Sequence, residues 1–291
     1  MNPPDHHPVV CFGEVLWDIL PTGAVPGGAP MNVAYHLHKM GKNPALITRI
    51  ENDEPGKQLR NLFGTYGVCT DYFQVDDARE TGKVYAQLNE RNEATYDIVN
   101  PSAWDFISPE PSHETLVAEA DFFVYGSLAA RNETSRNTLF HLLNMAKTKV
   151  LDINLRAPHY QQPLLEELLL KADILKLNDQ ELELLGSWYG TGGNVKDNII
   201  AIKNRFDISL TVVTCGAEGA VLYDGQNFYE QKGIAVTVAD TVGSGDAFLA
   251  GLLSHIMNGA AYPAALEYAN RLGAFIATQK GACPDYEVGD I

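Results

Sequence analysis

Four short apolar runs between residues 121 and 214 decide the fold. They are DFFVY (121–125), VLDIN (150–154), ILKL (174–177) and LTVVT (210–214). Short runs that are apolar on both faces are typical of buried parallel strands. Helical patterns separate them, and one of these places Val195, Ile199, Ile202 and Phe206 at helical spacing. This alternation predicts a parallel sheet with helices on both of its faces.

The same alternation continues toward both ends of the chain. Further β structure is predicted over 9–20, with a break at Gly13, and over 45–50, 220–223 and 228–238, and further helices are predicted over 30–40, 59–66, 246–258 and 263–278. No short repeat and no low-complexity linker interrupts the pattern. We therefore expect one α/β domain over residues 1–291, a three-layer sandwich around a mostly parallel central sheet.

One segment departs from the helix–strand alternation. Val84, Ala86 and Leu88 alternate with polar residues, and a second short strand is predicted over 94–99. Strict alternation with a polar face is typical of a hairpin that has one side in solvent. We expect this hairpin, at about 82–99, to form a small β lid on the main domain.

The chain is strongly acidic. It contains 37 Asp and Glu against 21 Lys and Arg, which gives a net charge of −16. Such a surface repels phosphate backbones and anionic membranes, and no basic stripe interrupts it. An anionic substrate must therefore be held by local devices, such as a helix N-terminus, one or two arginines, or Mg²⁺. We expect no nucleic-acid partner.

The sequence also bears on location. No apolar run reaches the roughly 18 residues that a membrane span needs, and the first residues lack the pattern of a signal peptide. The cysteines, Cys11, Cys69, Cys215 and Cys283, lie far apart and form no C-x-x-C pair. This distribution fits buried thiols in a reducing compartment better than a disulfide framework. We expect a cytoplasmic protein with no membrane partner.

The best candidate for chemistry is DTVGSGD (240–246), which directly precedes an apolar helix. Around Gly243, Ser244 and Gly245, backbone N–H groups can converge on an anion, and a helix N-terminus adds positive partial charge. Asp246 lies in the first helical turn and could accept a proton from an attacking hydroxyl, as phosphoryl transfer requires. Glycine-rich turns before an acidic helix start are also common without any catalytic role.

A second glycine turn, GGAPMN (27–32), also leads into a helix. Gly28 would let a polar ligand approach the backbone, and Asn32 offers a donor and an acceptor to sugar hydroxyls. A tight turn with proline at the first helical position explains the same residues. Upstream, Glu14 and Asp18 interrupt an apolar run. Buried carboxylates are costly unless they bind something, although acids at a strand end are the plainer explanation.

Further candidates follow predicted strands, where ligands of α/β proteins collect. Asn178 and Glu181 fit either a helix capping box or a pair that organises Mg²⁺-bound water. Arg156 is either a phosphate ligand or a surface arginine. The turn after the strand LTVVT (210–214) could flank a nucleotide or begin a hairpin, and its candidate residues are Thr214, Gly216 and Gly219.

Taken together, these motifs resemble the ribokinase/PfkB family of carbohydrate kinases. The shared features are GE…D near the start, GGAP-x-N before the first long helix, N-x-x-E in mid-chain, T-x-G-x-x-G later and DT-x-G-x-GD near the C-terminus. The likeness covers nearly the whole chain, and residues 12–18 and 26–32 are most similar to bacterial fructokinases. The resemblance implies a ribokinase-like, Rossmann-like α/β domain with a β lid.

The resemblance also implies catalytic roles. Asp246 would be the catalytic base, and the amides of Gly243, Ser244 and Gly245 would hold the charge that develops on the transferred phosphoryl group. Asp240 matches the position at which relatives hold a monovalent cation, so K⁺ is a candidate ion beside ATP and Mg²⁺.

Binding roles are implied in the same way. The residues matching the family's sugar-binding positions are Asp18, Gly28 and Asn32. Those matching its phosphate and Mg²⁺ positions are Arg156, Asn178 and Glu181. Those matching its nucleotide positions are Thr214, Gly216, Gly219 and Asn270.

Two features depart from the family pattern. Ribokinases carry a sugar-binding glutamate at a strand end where this chain has Gly126 and Ser127, which argues against ribose as substrate. In addition, only eight residues separate Asp18 from Gly27, where relatives usually insert a pair of lid strands. We therefore expect the lid to consist of the hairpin at 82–99 alone. Homodimer formation through this lid stays open.

The resemblance thus predicts a fructokinase, which converts D-fructose and ATP to fructose 6-phosphate and ADP. One alternative keeps the mechanism and changes the acceptor, for example to 2-keto-3-deoxygluconate. Another is a catalytically silent sugar-binding regulator, which would have no need of a base at Asp246. A dehydrogenase is disfavoured because no G-x-G-x-x-G turn follows the first strand.

Overall fold

The computed structural model describes residues 6–21, 23–88, 94–189 and 193–291. The strands are β1 (Val9–Phe12), β2 (Leu16–Leu20), β3 (Gly23–Gly27), β4 (Ala45–Glu51), β5 (Phe73–Asp76), β6 (Gly82–Leu88), β7 (Ala94–Ile98), β8 (Phe122–Gly126), β9 (Thr148–Asp152), β10 (Ile174–Asn178), β11 (Leu210–Thr214), β12 (Gly219–Tyr223) and β13 (Phe228–Lys232). The helices are α1 (Ala29–Lys39), α2 (Glu54–Thr65), α3 (Pro111–Glu119), α4 (Glu133–Leu143), α5 (Gln162–Leu169), α6 (Asp179–Tyr189), α7 (Val195–Phe206), α8 (Ser244–Met257) and α9 (Tyr262–Ala277).

The central sheet has nine strands in the order β13-β12-β11-β10-β9-β8-β1-β4-β5. The neighbours from β11 to β5 pair in parallel, and β12 and β13 add an antiparallel edge. The four apolar runs that predicted the sheet form its strands β8, β9, β10 and β11. The prediction of a mostly parallel central sheet is therefore confirmed.

Helices cover both faces of this sheet, as the strand β1 shows. Val9 and Cys11 pack in the cluster that contains the apolar sides of α1, α8 and α9. Val10 and Phe12 point to the other face and pack in the cluster with α4, α5 and α7. Because successive side chains of a strand alternate between faces, a strand buried on both sides must be apolar throughout. The predicted three-layer sandwich is confirmed.

The strand order reverses between β1 and β8. From β1 the chain continues to β4 and β5 on one side, and it then returns through β8 to β11 on the other. Ligands of open α/β sheets bind beyond the carboxyl ends of the strands at such a reversal. Glu14 follows β1, Asp152 ends β9, and Asn178 ends β10 at this same edge.

A second sheet has four strands in the order β3-β2-β6-β7. The prediction that the hairpin at 82–99 would form it alone is wrong. After Gly13 the chain leaves the central sheet, and β2 pairs with β6 in parallel and with β3 in antiparallel. Leu20 pairs with Gly23 and Leu16 pairs with Gly27, so the short segment between Asp18 and Gly27 contributes to a second pair of strands in this sheet.

A small apolar cluster attaches the second sheet to the main body. Leu16 of β2 and Val84 of β6 pack with Trp104 and Leu128 of the main body. The predicted strand over 228–238 ends earlier, at Lys232, which pairs with Gly219, the first residue of β12. In the described part of the chain, no helix is long and apolar enough to span a membrane.

Candidate active site

The glycine turn before α8 brings Asp246 to the carboxyl edge of the sheet. Gly243 precedes the helix with φ at 77°, and a Cβ on it would lie 2.5 Å from the Cβ of Ala282. Only glycine fits this position, on both conformational and steric grounds. Ser244 is held by a hydrogen bond from its Oγ to Gly273 O (3.1 Å). The turn is therefore fixed from both sides, and Asp246 follows in the first helical turn.

Asp246 is buried and held by an amide. Its Oδ2 accepts a hydrogen bond from Asn32 Nδ2 at 2.8 Å, and Cys283 Sγ donates to Asn32 Oδ1 at 3.4 Å. The pKa of Asp246 is raised to about 6, chiefly by burial and also by the negative charge of Asp152, while the ammonium of Lys176 opposes both. The carboxylate is thus ionised at neutral pH, and its pKa is close enough to 7 for it to accept a proton, as a general base must.

The first glycine turn lies beside Asp246. Gly28 precedes α1 with φ at 122°, and a side chain there would collide with Glu14 O. Asp18 on β2 faces this turn, because a Cβ on Gly27 would collide with Asp18 Oδ2. The two predicted sugar-binding residues Asp18 and Asn32 therefore flank the same glycine pair.

Two acidic groups near this turn have perturbed pKa values. The pKa of Asp18 is raised to about 6, chiefly by burial; the charge of Arg156 opposes this rise and the charge of Asp240 adds to it. Glu14 is almost fully buried, and burial raises its pKa to about 7. Its Oε2 has no hydrogen-bond partner among the described residues. Glu14 and Asp18 are thus carboxyl groups kept at an energetic cost inside the cleft.

Lys176 and Asp152 form a buried ion pair that the sequence did not predict. The distance from Lys176 Nζ to Asp152 Oδ2 is 2.7 Å, and both side chains are buried. The ammonium also lies under the glycine turn, since a Cβ on Gly245 would be 3.1 Å from Lys176 Nζ. The signal in the sequence was a lysine inside the apolar run ILKL, which a buried strand does not accommodate without a partner.

The motif after β10 forms the predicted capping box. Asn178 Oδ1 accepts from the N–H of Glu181, and Glu181 Oε2 accepts from the N–H of Asn178, each at 2.8 Å. Glu181 Oε1 accepts from the N–H of Leu155 at 2.7 Å. Each carboxylate oxygen of Glu181 therefore already holds one backbone N–H. This arrangement fits contact with Mg²⁺ through bound water rather than directly.

Arg156 lies on the surface of the cleft. Its Nη1 donates a hydrogen bond to Leu155 O (3.1 Å). Its positive charge also lowers the pKa values of Glu14, Asp18 and Asp246, which fits a place at the edge of the acidic cleft. An exposed side chain of this kind can turn toward an incoming phosphate.

The predicted nucleotide residues lie around the end of β11. Thr214 pairs with Asn178 across the sheet. Gly216 has φ at 52° and open space around it, whereas Gly219 packs so tightly on Gln231 O that a side chain would collide. Asn270 Nδ2 donates to Lys232 O at 2.9 Å, which joins α9 to the edge strand. Close packing thus explains the glycine at 219, and a structural hydrogen bond explains the asparagine at 270, without a role in nucleotide binding.

Asp240 precedes the glycine turn and organises it. Its Oδ1 accepts from the N–H of Val242 at 3.0 Å, and its Oδ2 accepts from the N–H of Gly281 at 3.2 Å. Within the described ranges, no group of three His, Cys, Asp or Glu residues could hold a metal ion. The monovalent cation at Asp240 stays a prediction.

Comparison with known proteins agrees with this geometry. A fructokinase of Klebsiella pneumoniae is 31% identical over 294 residues, which cover 93% of each chain. A fructokinase of Vibrio cholerae O395, solved with fructose, ADP and calcium ion bound, has a TM-score of 0.80 at 27% identity and covers 94% of each chain. A putative ribokinase II from E. coli, with a TM-score of 0.84 at 20% identity over 94% of each chain, shares the fold. The family model of the pfkB carbohydrate kinases matches residues 13–288, and the chain therefore belongs to the pfkB family of carbohydrate kinases.

Proposed function

We propose that this carbohydrate kinase transfers the γ-phosphoryl group of ATP to a hydroxyl of D-fructose and produces fructose 6-phosphate and ADP. The observation that carries the proposal is Asp246, buried at the start of α8, hydrogen-bonded to Asn32 and next to the glycine turn. Support for fructose comes from the curated fructokinases at about 30% identity and from the fructose-bound relative.

The transfer needs one proton acceptor and one site for negative charge. The sugar hydroxyl gives its proton to the carboxylate of Asp246, its oxygen forms a bond to the γ-phosphorus, and the bond from that phosphorus to the β-phosphate oxygen breaks to release ADP. The amides around Gly243, Ser244 and Gly245 lie at a helix N-terminus, where backbone dipoles stabilise the charge of the phosphoryl group in flight.

The remaining predicted residues surround this centre. On the sugar side, Asp18, Asn32 and the backbone at Gly28 bind hydroxyl groups. On the nucleotide side, Arg156 contacts phosphates, while Thr214, Gly216, Gly219 and Asn270 line the base and ribose. Mg²⁺ neutralises phosphate charge when it is bound with ATP, and Asn178 with Glu181 would hold its water shell.

The second sheet completes the site in this proposal. Asp18 lies on β2 of that sheet, so any movement of the sheet relative to the main body also moves a sugar ligand. We propose that the sheet closes over the sugar and excludes water during the transfer. A cytoplasmic location is a further part of this proposal, and a homodimer stays an open alternative to a monomer.

A panel of acceptors tests the proposal. ADP release is coupled to a spectroscopic assay, with MgATP and either fructose, tagatose, ribose, adenosine or 2-keto-3-deoxygluconate. We expect kcat/KM to be highest for fructose. A higher value for another acceptor would keep the kinase and overturn fructose. Sugar binding without ADP release for any acceptor would favour a sugar-binding regulator.

A further inference from the structure

The ion pair between Lys176 and Asp152 is unusual for its position. Lys176 lies in the middle of a central strand, and only 7% of it is exposed. A buried ion pair seldom stabilises a fold more than apolar side chains of the same size would, because both charges must leave water. The neighbouring residues on the same strand, Leu175 and Leu177, are fully buried aliphatic side chains. Packing alone therefore does not account for the pair.

The surroundings of the pair point to Asp246. Lys176 Nζ lies on the sheet side of Gly245, the residue directly before Asp246. Asp152 uses Oδ2 for the lysine, while its Oδ1 is buried without a hydrogen-bond partner in the described part of the chain. A positive and a negative group thus lie together beneath the turn that carries the base.

We infer that the Lys176–Asp152 pair is a positioning device that sets the proton affinity of Asp246 through two opposed charges. The inference rests on the proposed function only in naming Asp246 the base of the transfer. The lysine keeps Asp246 ionised when the site is empty. The aspartate keeps the lysine from making Asp246 so acidic that it could no longer accept a proton from a hydroxyl.

The other groups that face Asp246 act from different elements. Glu14 approaches from the segment after β1, and Arg156 approaches from the segment after β9. Asn32 donates from α1, and Cys283 contacts that amide from the C-terminal segment. The charge of Glu181, from α6, acts on Lys176. Of the charged groups named here, Lys176 and Asp152 are in direct contact with each other.

Their opposite signs allow a sharp experiment. The charge of Asp152 raises the pKa of Asp246, and the charge of Lys176 lowers it. Asp152→Asn keeps the shape and removes the negative charge, so the pKa of Asp246 should fall. Adding Lys176→Met to that variant removes the positive charge without leaving a lone buried carboxylate, so the pKa should rise again.

The measurement is a pH titration by NMR of the protein labelled with ¹³C at its aspartate carboxyl groups, free of ATP and sugar. The signal of Asp246 is the one missing from Asp246→Asn. We expect the pKa of Asp246 to be lower in Asp152→Asn than in the wild-type protein. In Asp152→Asn/Lys176→Met it should be higher than in Asp152→Asn. The acid limb of kcat/KM should move in the same order. Equal pKa values in the three proteins, or shifts in one direction only, would overturn the inference.

A matched control lies on β9. Lys149 pairs with Asp173 at 3.1 Å at the amino end of the sheet, remote from Asp246. Lys149→Met should leave the Asp246 signal unchanged. The NMR readout also separates the two claims: absence of kinase activity in the wild-type protein would contradict the proposed function, while the titration would still confirm or contradict the role of the pair.

Discussion

At the scale of single residues, Asp246 is the group on which the chemistry depends. Asp246→Asn keeps the shape of the side chain and removes its ability to take a proton. We expect kcat to fall about 10²-fold or more, because a general base contributes at least that factor. The affinity for fructose, measured by calorimetry, should change little.

An exposed aspartate supplies the control. Asp121 lies 55% exposed just before β8, at the opposite end of the sheet. Asp121→Asn should keep the wild-type kcat. Turnover in Asp246→Asn within a few-fold of that control would contradict the assignment of the base.

The same residue predicts a pH dependence. Burial and Asp152 raise the pKa of Asp246 to about 6. The base must be ionised to act, so kcat/KM should be constant above about pH 7 and fall roughly tenfold per pH unit below about pH 6. Measurement of kcat/KM for fructose between pH 5 and 8 checks this, provided that the coupling enzymes are in excess throughout. A rate that holds constant down to pH 5 would contradict an Asp246 base.

Glu14 predicts an effect on stability. Burial raises its pKa to about 7, so the folded state binds a proton that the unfolded state has released above about pH 5. Stability from this group is therefore present at low pH and lost as pH rises through 7. Glu14→Gln should raise the free energy of unfolding at pH 8 by on the order of 2 kcal/mol, with little change at pH 5. Urea unfolding at pH 5 and pH 8 measures the change in the free energy of unfolding. A variant less stable than the wild-type protein at pH 8 would contradict an energetic cost of the buried Glu14 carboxylate.

At the scale of elements, the start of α1 couples the glycine turn to the base. Gly28 has φ at 122°, and a side chain there would collide with Glu14 O, so Gly28→Ala must shift the helix that carries Asn32. We expect a loss of about 1–3 kcal/mol in stability together with a lower kcat. Thermal unfolding and steady-state kinetics measure the two effects.

The other end of α1 provides a comparison. Gly41 also has positive φ, at 72°, but nothing lies within 4 Å of a Cβ placed there. Gly41→Ala should therefore lose stability and keep kcat. Equal losses of kcat in both variants would show that Gly28 acts through stability alone.

The elements also show how far sequence patterns reach. The strand ILKL was predicted because burial on both faces leaves a short apolar run, and the helix through Ile199 and Ile202 because burial on one face leaves a helical period. The hairpin of β2 and β3 was not, because Leu16–Leu20 reads as a continuation of β1 until its pairing partner is known. Pairing between distant strands is a tertiary property that local pattern does not contain.

The residues of the candidate site were also predicted only in part. Asp246, Asn32 and Asp18 were predicted because their glycine turns leave a motif, and the structure brings them to one cleft. The pair of Lys176 and Asp152 was not predicted, because a lysine in an apolar run indicates that a partner exists but does not say which residue it is until β9 and β10 lie side by side.

At the scale of the whole molecule, the second sheet is attached through few apolar contacts. Val84 of β6 packs with Leu16 and Trp104 in the small cluster between the sheet and the main body. Val84→Ala should cost about 1–3 kcal/mol locally. We expect faster amide hydrogen exchange in β2, β3 and β6 than in the wild-type protein. We also expect the KM for fructose to increase more than the KM for ATP. Faster exchange spread evenly over β8 to β11 would contradict a separable sheet.

The account as a whole rests on phosphoryl transfer to fructose. The most direct measurement is ³¹P NMR of the purified protein with MgATP and fructose, which follows substrate and products in one sample. The account predicts loss of the γ-phosphate signal with equal gains of ADP and fructose 6-phosphate, and no such change with Asp246→Asn. Formation of ADP and free phosphate without a sugar phosphate, or unchanged ATP beside bound fructose, would contradict it.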